Sequence, residues 1–496
     1  MVRDHQPDTR EGQAGLCRES ERPIVPRKPG NAGGGKGPWF RVNVRSGESR
    51  EIGMRLETPS KVRKLQETLH AKAKRAPDYR FYLLHDKVYR EDVLAFAYRC
   101  CKANGGSAGV DGQSFEDIET CGLERWLDAL TEELRNKSYR PQAVRRVWIP
   151  KPDGTKRPLG IPTVKDRVVQ TAVALVLGPI FEADLPQEQY AYRTGRSALD
   201  AVKQVVTLLD SGHKNVVDAD LSGYFDCIPH AELMKSVARR LSDRHMLHLI
   251  TMWLKAPVEE IDDRGRRRRT THNKDEGCGV PQGAPISPLL SNLYMRWFVL
   301  GWKRLGHERR LDARIVNYAD DLVICCRGSA EDALDAMQVI MRKLKLTVNR
   351  SKTRVCCAPS EPFDFLGYTI GRYHSSKTGN AFNGACPSRK RIRRLCHAIS
   401  NMTGRGSVLV DVPTRITQLN RLLVGWANYF SLRLGPLSKV YRSIDAHARH
   451  RLRQWLCRKH KMRGPGSSRF PDAYLHETLG LVRLQPCSTT ASCANA

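Results

Sequence analysis

The chain has 496 residues, with 83 Lys and Arg against 52 Asp and Glu, a formal net charge of +31. Its length predicts two to four domains, and its charge selects polyanionic partners, with nucleic acid the commonest, without naming a chemistry. Fifteen cysteines without a Cys-x-x-Cys pair, no apolar signal core and no bilayer-length apolar run exclude a disulfide-stapled or membrane-spanning class. A cytoplasmic protein with reduced thiols and no membrane partner is expected.

In chain order, residues 1–55 are rich in Gly, Pro, Arg and Ser and lack periodicity, so they read as a disordered basic leader. Residues 56–140 read as a helical extension, with amphipathic helices at 89–102 and 123–136 around the glycine-dense loop 104–112. A strand at 144–149 leads into a basic hairpin tip at 150–158 with Asp153-Gly154 turn chemistry. Helices are predicted at 164–177, where Gly178-Pro179 follows, and at 197–211. The strand 216–221 then carries Asp218 and Asp220 on one face, because side chains alternate with period two. Helices at 231–241, 246–254, 287–305 and 330–346 surround a charged hairpin tip at 262–269 and an acidic hairpin at 315–325. Further strands fall near 354–355 and 368–373. This pattern predicts an α+β core over roughly 140–380. From 387 to 470 there are 19 Lys and Arg and only two acids, Asp411 and Asp445, in a helical pattern. Leu419, Leu422, Leu423 and Trp426 form one apolar stripe there.

The acidic hairpin carries the chemistry. Ile315-Val316-Asn317-Tyr318 and Leu322-Val323-Ile324-Cys325 flank Asp320-Asp321, an arrangement that leaves two carboxylates repelling each other in apolar surroundings. Asp is also a common turn residue, so the pair alone does not discriminate. Asp220, about a hundred residues earlier on its own strand, does. Nucleotidyl transfer uses two divalent ions, and carboxylates from neighbouring strands can bridge them.

Six motifs occur in a telling order. They are Arg157-Pro158-Leu159-Gly160-Ile161-Pro162, Tyr192-Arg193-Thr194-Gly195-Arg196-Ser197, Asp220-Leu221-Ser222-Gly223-Tyr224-Phe225-Asp226, Pro281-Gln282-Gly283, Tyr318-Ala319-Asp320-Asp321 and Phe365-Leu366-Gly367-Tyr368. Together they resemble the reverse transcriptases encoded by group II introns, and Leu422 to Phe430 resembles that family's maturase domain. The resemblance implies a right-hand polymerase, with fingers starting in 56–140, fingers and palm over 141–375, a helical thumb-like maturase domain over 387–470 and a short tail over 471–496. It implies Asp220, Asp320 and Asp321 as catalytic and metal-binding carboxylates, with Leu221 carried in the metal set. Two Mg²⁺ ions are implied, with Mn²⁺ as a substitute. Asp218 reads as supporting or structural.

Lys151, Arg157, Phe225, Gln282 and Lys352 are implied nucleotide-binding residues. Phe225 would crowd the sugar 2′ position and favour deoxynucleotides. Lys156 and Arg157 could trade places. Arg193, Arg196, Arg389, Lys390, Arg391, Arg393 and Arg394 are the implied RNA-binding cations. The partners implied are the intron RNA, a DNA target and primer, and dNTPs. Trp426, Tyr429 and Phe430 read as core packing. His447, His450, Cys457 and His460 have superficial zinc-ligand spacing, but they read as one Arg-dense helix, where the members of each pair share a face while the ten-residue offset between pairs spans nearly three turns. No endonuclease is expected after the maturase-like region. Two alternatives stay open: a domesticated reverse transcriptase of a defence or CRISPR-associated system, and an RNA-binding maturase without polymerase activity.

Overall fold

A computed structural model describes residues 56–150, 154, 156–261, 266–358, 360–375 and 378–484. The expected leader, Lys151 and the last residues of the tail lie outside them.

Eleven strands are described. They are β1 (Val144–Pro150), β2 (Lys156–Ile161), β3 (Asn215–Asp220), β4 (Val258–Ile261), β5 (Arg267–Thr270) and β6 (Ala313–Tyr318), followed by β7 (Asp321–Cys326), β8 (Arg354–Cys357), β9 (Phe363–Phe365), β10 (Tyr368–His374) and β11 (Ala381–Pro387). They form three sheets, ordered β2-β1-β4-β5, β6-β7-β3-β8 and β11-β10-β9. With helices on their faces, the sheets bear out the α+β expectation.

The central sheet, β6-β7-β3-β8, is antiparallel throughout. Strand alternation divides it between two cores. Val217, Ala219, Ile315, Leu322 and Ile324 join the larger core with the helices Ser287–Arg304 and Ala330–Lys343. Val216, Val316, Val323 and Cys325 face the helix Ala198–Asp210 and the third sheet. Asp218, Asp220 and Asp321 continue the stripe of Val216 and Val323. The acids therefore share one face.

The helix Val164–Glu182 is apolar on nearly every side, and most of it is buried. Gly178-Pro179 does not end it as the sequence suggested. Proline lacks the N–H that would reach the carbonyl of Leu175. The Gln66 amide, from the helix Ser60–Arg75, donates to that carbonyl at 3.1 Å instead. A side chain from another helix replaces the lost bond, so the helix continues. The helix expected over 231–241 is shorter, His230–Ala238. Beyond it, the buried Arg240 donates to the carbonyls of Ala73 and Ala76 at the end of the first helix.

The C-terminal helices Arg389–Met402, Val412–Tyr429 and Leu437–Lys459 enclose a third core of Ile399, Leu419, Leu423, Ile444, Leu452 and Trp455. Phe430 is buried against Tyr368 at 5.0 Å and Trp426 at 4.5 Å between ring centroids. These aromatics pack, as expected, and join the helices to the third sheet. The segment after 470 is not a loose tail as far as it is described. Leu475, Leu481 and Leu484 are buried in the third core, and the Leu484 N–H donates to the Asp445 carboxylate at 3.1 Å. Among the described residues, no helix is long and apolar enough to cross a membrane.

Candidate active site

The register sets Asp220, the last residue of β3, directly opposite Asp321, the first of β7. Asp218 lies two residues back, between Val323 and Arg354. Tyr318 pairs with Asp321, so Ala319-Asp320 is a two-residue turn at the tip of the β6–β7 hairpin. Ala319 has φ +56°, a strained conformation for a residue with a Cβ. The fully buried Asn317 holds it there. Its Nδ2 donates to the carbonyl of Ala319 at 2.9 Å and to that of Asp321 at 3.4 Å.

This packing crowds negative charge. Asp321 touches solvent yet is ringed by protein. Burial and the charges of Asp320, Asp220 and Asp218 raise its proton affinity well above the carboxylate range, with Arg391 opposing them. Asp218 is pushed up to about 6 by burial, against the pull of Arg354 at 3.6 Å. Mutually repelling carboxylates of this kind offer the hard oxygen donors that Mg²⁺ prefers, and a divalent cation would relieve their repulsion. Among the described residues, no three His, Cys, Asp or Glu side chains already converge on one ion position. The Asp220 carboxylate is drawn instead to Lys352 Nζ at 3.4 Å and accepts from Asn349 Nδ2 at 3.2 Å. The donor chemistry fits the ion, and the contacts to Lys352 and Asn349 both fall on Asp220 Oδ2. Leu221 is buried by its side chain and bridges to Val348, so only its main-chain carbonyl could contribute.

Of the expected nucleotide-binding residues, Arg157, Phe225, Gln282 and Lys352 are described. Arg157 is exposed on β2, and its charge acts on the Tyr192 hydroxyl, which also feels Asp320 and Asp321. Lys352 stands beside Asp220. Phe225 is half-buried, edge-on to Tyr224 with centroids 5.5 Å apart, and its carbonyl accepts from the Val280 N–H at 2.7 Å. Gln282 donates to Asp226 at 3.3 Å, while its carbonyl accepts from the Gly160 N–H at 2.7 Å. Gly283 has φ +106°, and a Cβ there would stand 2.6 Å from the Gly160 carbonyl oxygen. Glycine is required because two main chains touch.

Arg193 is a correction. The sequence placed it among the RNA-binding cations, but it is buried and its guanidinium is consumed. It grips Glu182 through Nε at 3.0 Å and Nη2 at 2.7 Å, and donates to the Gln189 carbonyl at 2.9 Å. Its role is to fix the turn after the helix Val164–Glu182. Arg196 is partly exposed, stacked over Tyr190 at 5.0 Å and bonded to the Gln187 carbonyl. Arg389, Lys390, Arg393 and Arg394 are exposed along the helix Arg389–Met402. Arg391 departs from them. It lies against Gly367, where a Cβ would stand 2.8 Å from its Nε, and its charge reaches Asp321.

The histidines with zinc-like spacing have separate engagements. His447 Nε2 contacts the Cys396 carbonyl at 3.1 Å, His450 pairs with Gln454, and His460 lies against Phe470. Asn317 and Asn349 had no assigned role in the sequence, and Arg391 had one only among the RNA-binding cations. Asn349 acts through a pairing with Asp220 more than a hundred residues away, Asn317 through bonds within its own hairpin that depend on its burial, and Arg391 through which face of its helix meets Gly367.

Comparison with known proteins places this geometry. Residues 149–370 match the family model described as reverse transcriptase (RNA-dependent DNA polymerase). Residues 392–470 match the model described as group II intron, maturase-specific domain. The class is thus a reverse transcriptase domain followed by a maturase-specific domain. Protein YkfC of Escherichia coli (strain K12) is 32% identical over 352 residues, which cover 63% of this chain and 89% of that one. The group II intron-encoded protein LtrA of Lactococcus lactis subsp. cremoris is 28% identical over 354 residues, covering 58% of this chain and 57% of LtrA. The putative COX1/OXI3 intron 1 protein of Saccharomyces cerevisiae (strain ATCC 204508 / S288c) is 27% identical over 330 residues, or 56% of this chain and 38% of that protein. The chain belongs to the family of group II intron-encoded reverse transcriptases with a maturase domain.

Proposed function

We propose that this protein is an RNA-directed DNA polymerase that also binds the RNA of a group II intron and assists its splicing and mobility. The observation that carries the reading is the register that sets Asp220 opposite Asp321, with Asp320 in the turn beside them, at one end of the central sheet. In this reading the central sheet is the palm, the β2-β1-β4-β5 sheet belongs to the fingers, and the C-terminal helices form the thumb and maturase domain. Residues 56–140 are the extension that enters the fingers, 141–375 the polymerase body and 387–470 the maturase domain, its core extended to Leu484.

Asp220, Asp320 and Asp321 would hold two Mg²⁺ ions, which supply charge for activating a primer 3′ oxygen and steadying pyrophosphate. Lys352 and Arg157 supply positive charge where a triphosphate would meet the carboxylates. Asn317 and Asn349 orient the acids. Phe225 screens the sugar, and the Gln282-Gly283 main chain borders the template and nucleotide. The basic helices grip RNA phosphates through a salt-sensitive, sequence-independent attraction.

The test uses the purified full chain with an RNA template, a DNA primer and dNTPs, and separately the intron RNA transcribed from the DNA flanking the gene. Magnesium-dependent DNA synthesis and faster splicing of that transcript are expected. Failure of both in magnesium would overturn the reading.

A further inference from the structure

The connection between the first two C-terminal helices is built unlike an ordinary surface loop. Leu409, in the middle of it, is 96% exposed, the most exposed large apolar side chain among the described residues. Its neighbours Val408 and Val410 are half-buried. The main chain on either side of Leu409 is held. Lys459 Nζ donates to the Val408 carbonyl at 3.1 Å and to the Val410 carbonyl at 3.0 Å. The Ser407 carbonyl accepts from Trp455 Nε1 at 3.2 Å, and Ser407 Oγ donates to the Met402 carbonyl at 2.8 Å. Asp411 then caps the next helix by accepting from the Thr414 N–H at 2.9 Å. A free loop would fold such a leucine down onto the surface, because burying it is favourable by about 1.5–3 kcal/mol. This one cannot, because both flanking carbonyls are turned inward to Lys459.

The surroundings indicate what meets it. Arg405, Arg458, Lys461 and Arg463 are exposed nearby in sequence on the two elements that carry the loop and its clamp. Asp411 is the only acid between 387 and 444, and its carboxylate is occupied as a cap. A protein or lipid partner would have to match a lone apolar tip with exposed cations close to it and to its clamp in sequence, whereas a nucleic acid offers phosphates to the cations and base faces to the tip. Apolar wedges set between base steps among phosphate-binding cations are an established way for proteins to engage nucleic acids.

We propose that Leu409 is an apolar wedge, held out by Lys459, that inserts at an unstacked base step or bulge of the RNA bound by the C-terminal helices. The inference rests on the RNA-binding reading above and adds a base-stacking contact to it.

The experiment uses full-length protein and the transcript of the flanking intron, read by filter binding across a salt series and by chemical probing of nucleotide flexibility. Leu409→Ala should weaken binding about tenfold to a hundredfold, the equivalent of losing one buried leucine, with an unchanged salt slope. Leu409→Met should restore most of the affinity. In probing, one short stretch of RNA should change reactivity with wild-type protein and with Leu409→Met but not with Leu409→Ala. DNA synthesis on a short unstructured RNA template should stay at the wild-type rate. Unchanged affinity together with an unchanged footprint for Leu409→Ala would overturn the wedge while leaving RNA binding standing. Equal loss of synthesis on the short template would also overturn it, by placing the tip on the primer–template duplex. If wild-type protein does not bind the transcript at all, the functional reading itself fails.

Discussion

Asn317 is the residue on which the geometry of the acidic hairpin depends most directly, and Asn317→Ala tests that dependence. The side chain is fully buried and makes two bonds, at 2.9 and 3.4 Å, to the carbonyls that bracket Asp320. Removing it leaves those buried acceptors short of a donor, a cost of about 1–3 kcal/mol. It also releases the φ +56° of Ala319, a conformation that stores about 1–3 kcal/mol when a residue other than glycine adopts it. The relaxed turn carries Asp320 with it. A misplacement of the reacting geometry by about 1 Å corresponds to about a hundredfold in rate. Primer extension under saturating RNA template should therefore show kcat falling by about two orders of magnitude while KM for dNTP changes little. Urea denaturation should show a loss below about 3 kcal/mol, because the strain released at Ala319 offsets part of the cost of the unpaired acceptors. A kcat within a few-fold of wild type, with unchanged stability, would refute the claim that Asn317 positions the pair.

Three further outcomes follow from contacts elsewhere. Gly367→Ala forces a Cβ to 2.8 Å from Arg391 Nε at a glycine of φ +84°. It should destabilise the protein by about 1–2 kcal/mol in denaturant titration through the left-handed backbone alone, with the contact to Arg391 adding to this, and it should reduce primer extension; pairing it with Arg391→Ala should relieve only the added contact and leave the backbone cost in place. Arg193→Ala should destabilise by about 3 kcal/mol, because Glu182 and a set of carbonyls lose their partner; the folded protein should bind RNA with unchanged salt slope. His85 and His230 have pKa values held below 6.5, first by burial. A base with a depressed folded pKa gives stability that is present above the unfolded value and is lost as pH falls. The raised carboxyls of Asp218 and Asp321 act in the opposite sense across this range, so the histidine part is read as a difference: from about pH 7.5 to about pH 5.5, urea melts of the double Gln replacement should lose less stability, or gain more, than those of the parent protein.

The outline of the fold was legible because it rests on local patterns. The strand at 216–221, the acidic hairpin and the helices at 123–136, 246–254 and 287–305 all declare themselves by periodicity, and they lie within a few residues of the observed bounds. Pro179 was misleading because its missing hydrogen bond is replaced by Gln66, more than a hundred positions away. The carboxylates were legible for a different reason, since costly residue types set in apolar strands announce a function. Arg193 shows the limit of that reasoning. An arginine in a basic motif looks the same in sequence whether it faces RNA or clasps Glu182 in the interior, and burial alone separates the two. Lys156 and Arg157 are likewise equivalent in sequence, and both are exposed on β2.

The most direct test of the central claim is primer extension by Asp320→Asn on an RNA template in magnesium, with RNA affinity measured on the same preparation. Asn fills the same volume and keeps the turn, so it removes one carboxylate charge from the cluster and little else. The account predicts DNA synthesis reduced by about a thousandfold or more, equivalent to about 4 kcal/mol in the transition state, with RNA affinity and its salt slope unchanged. Synthesis at or near the wild-type rate would contradict it.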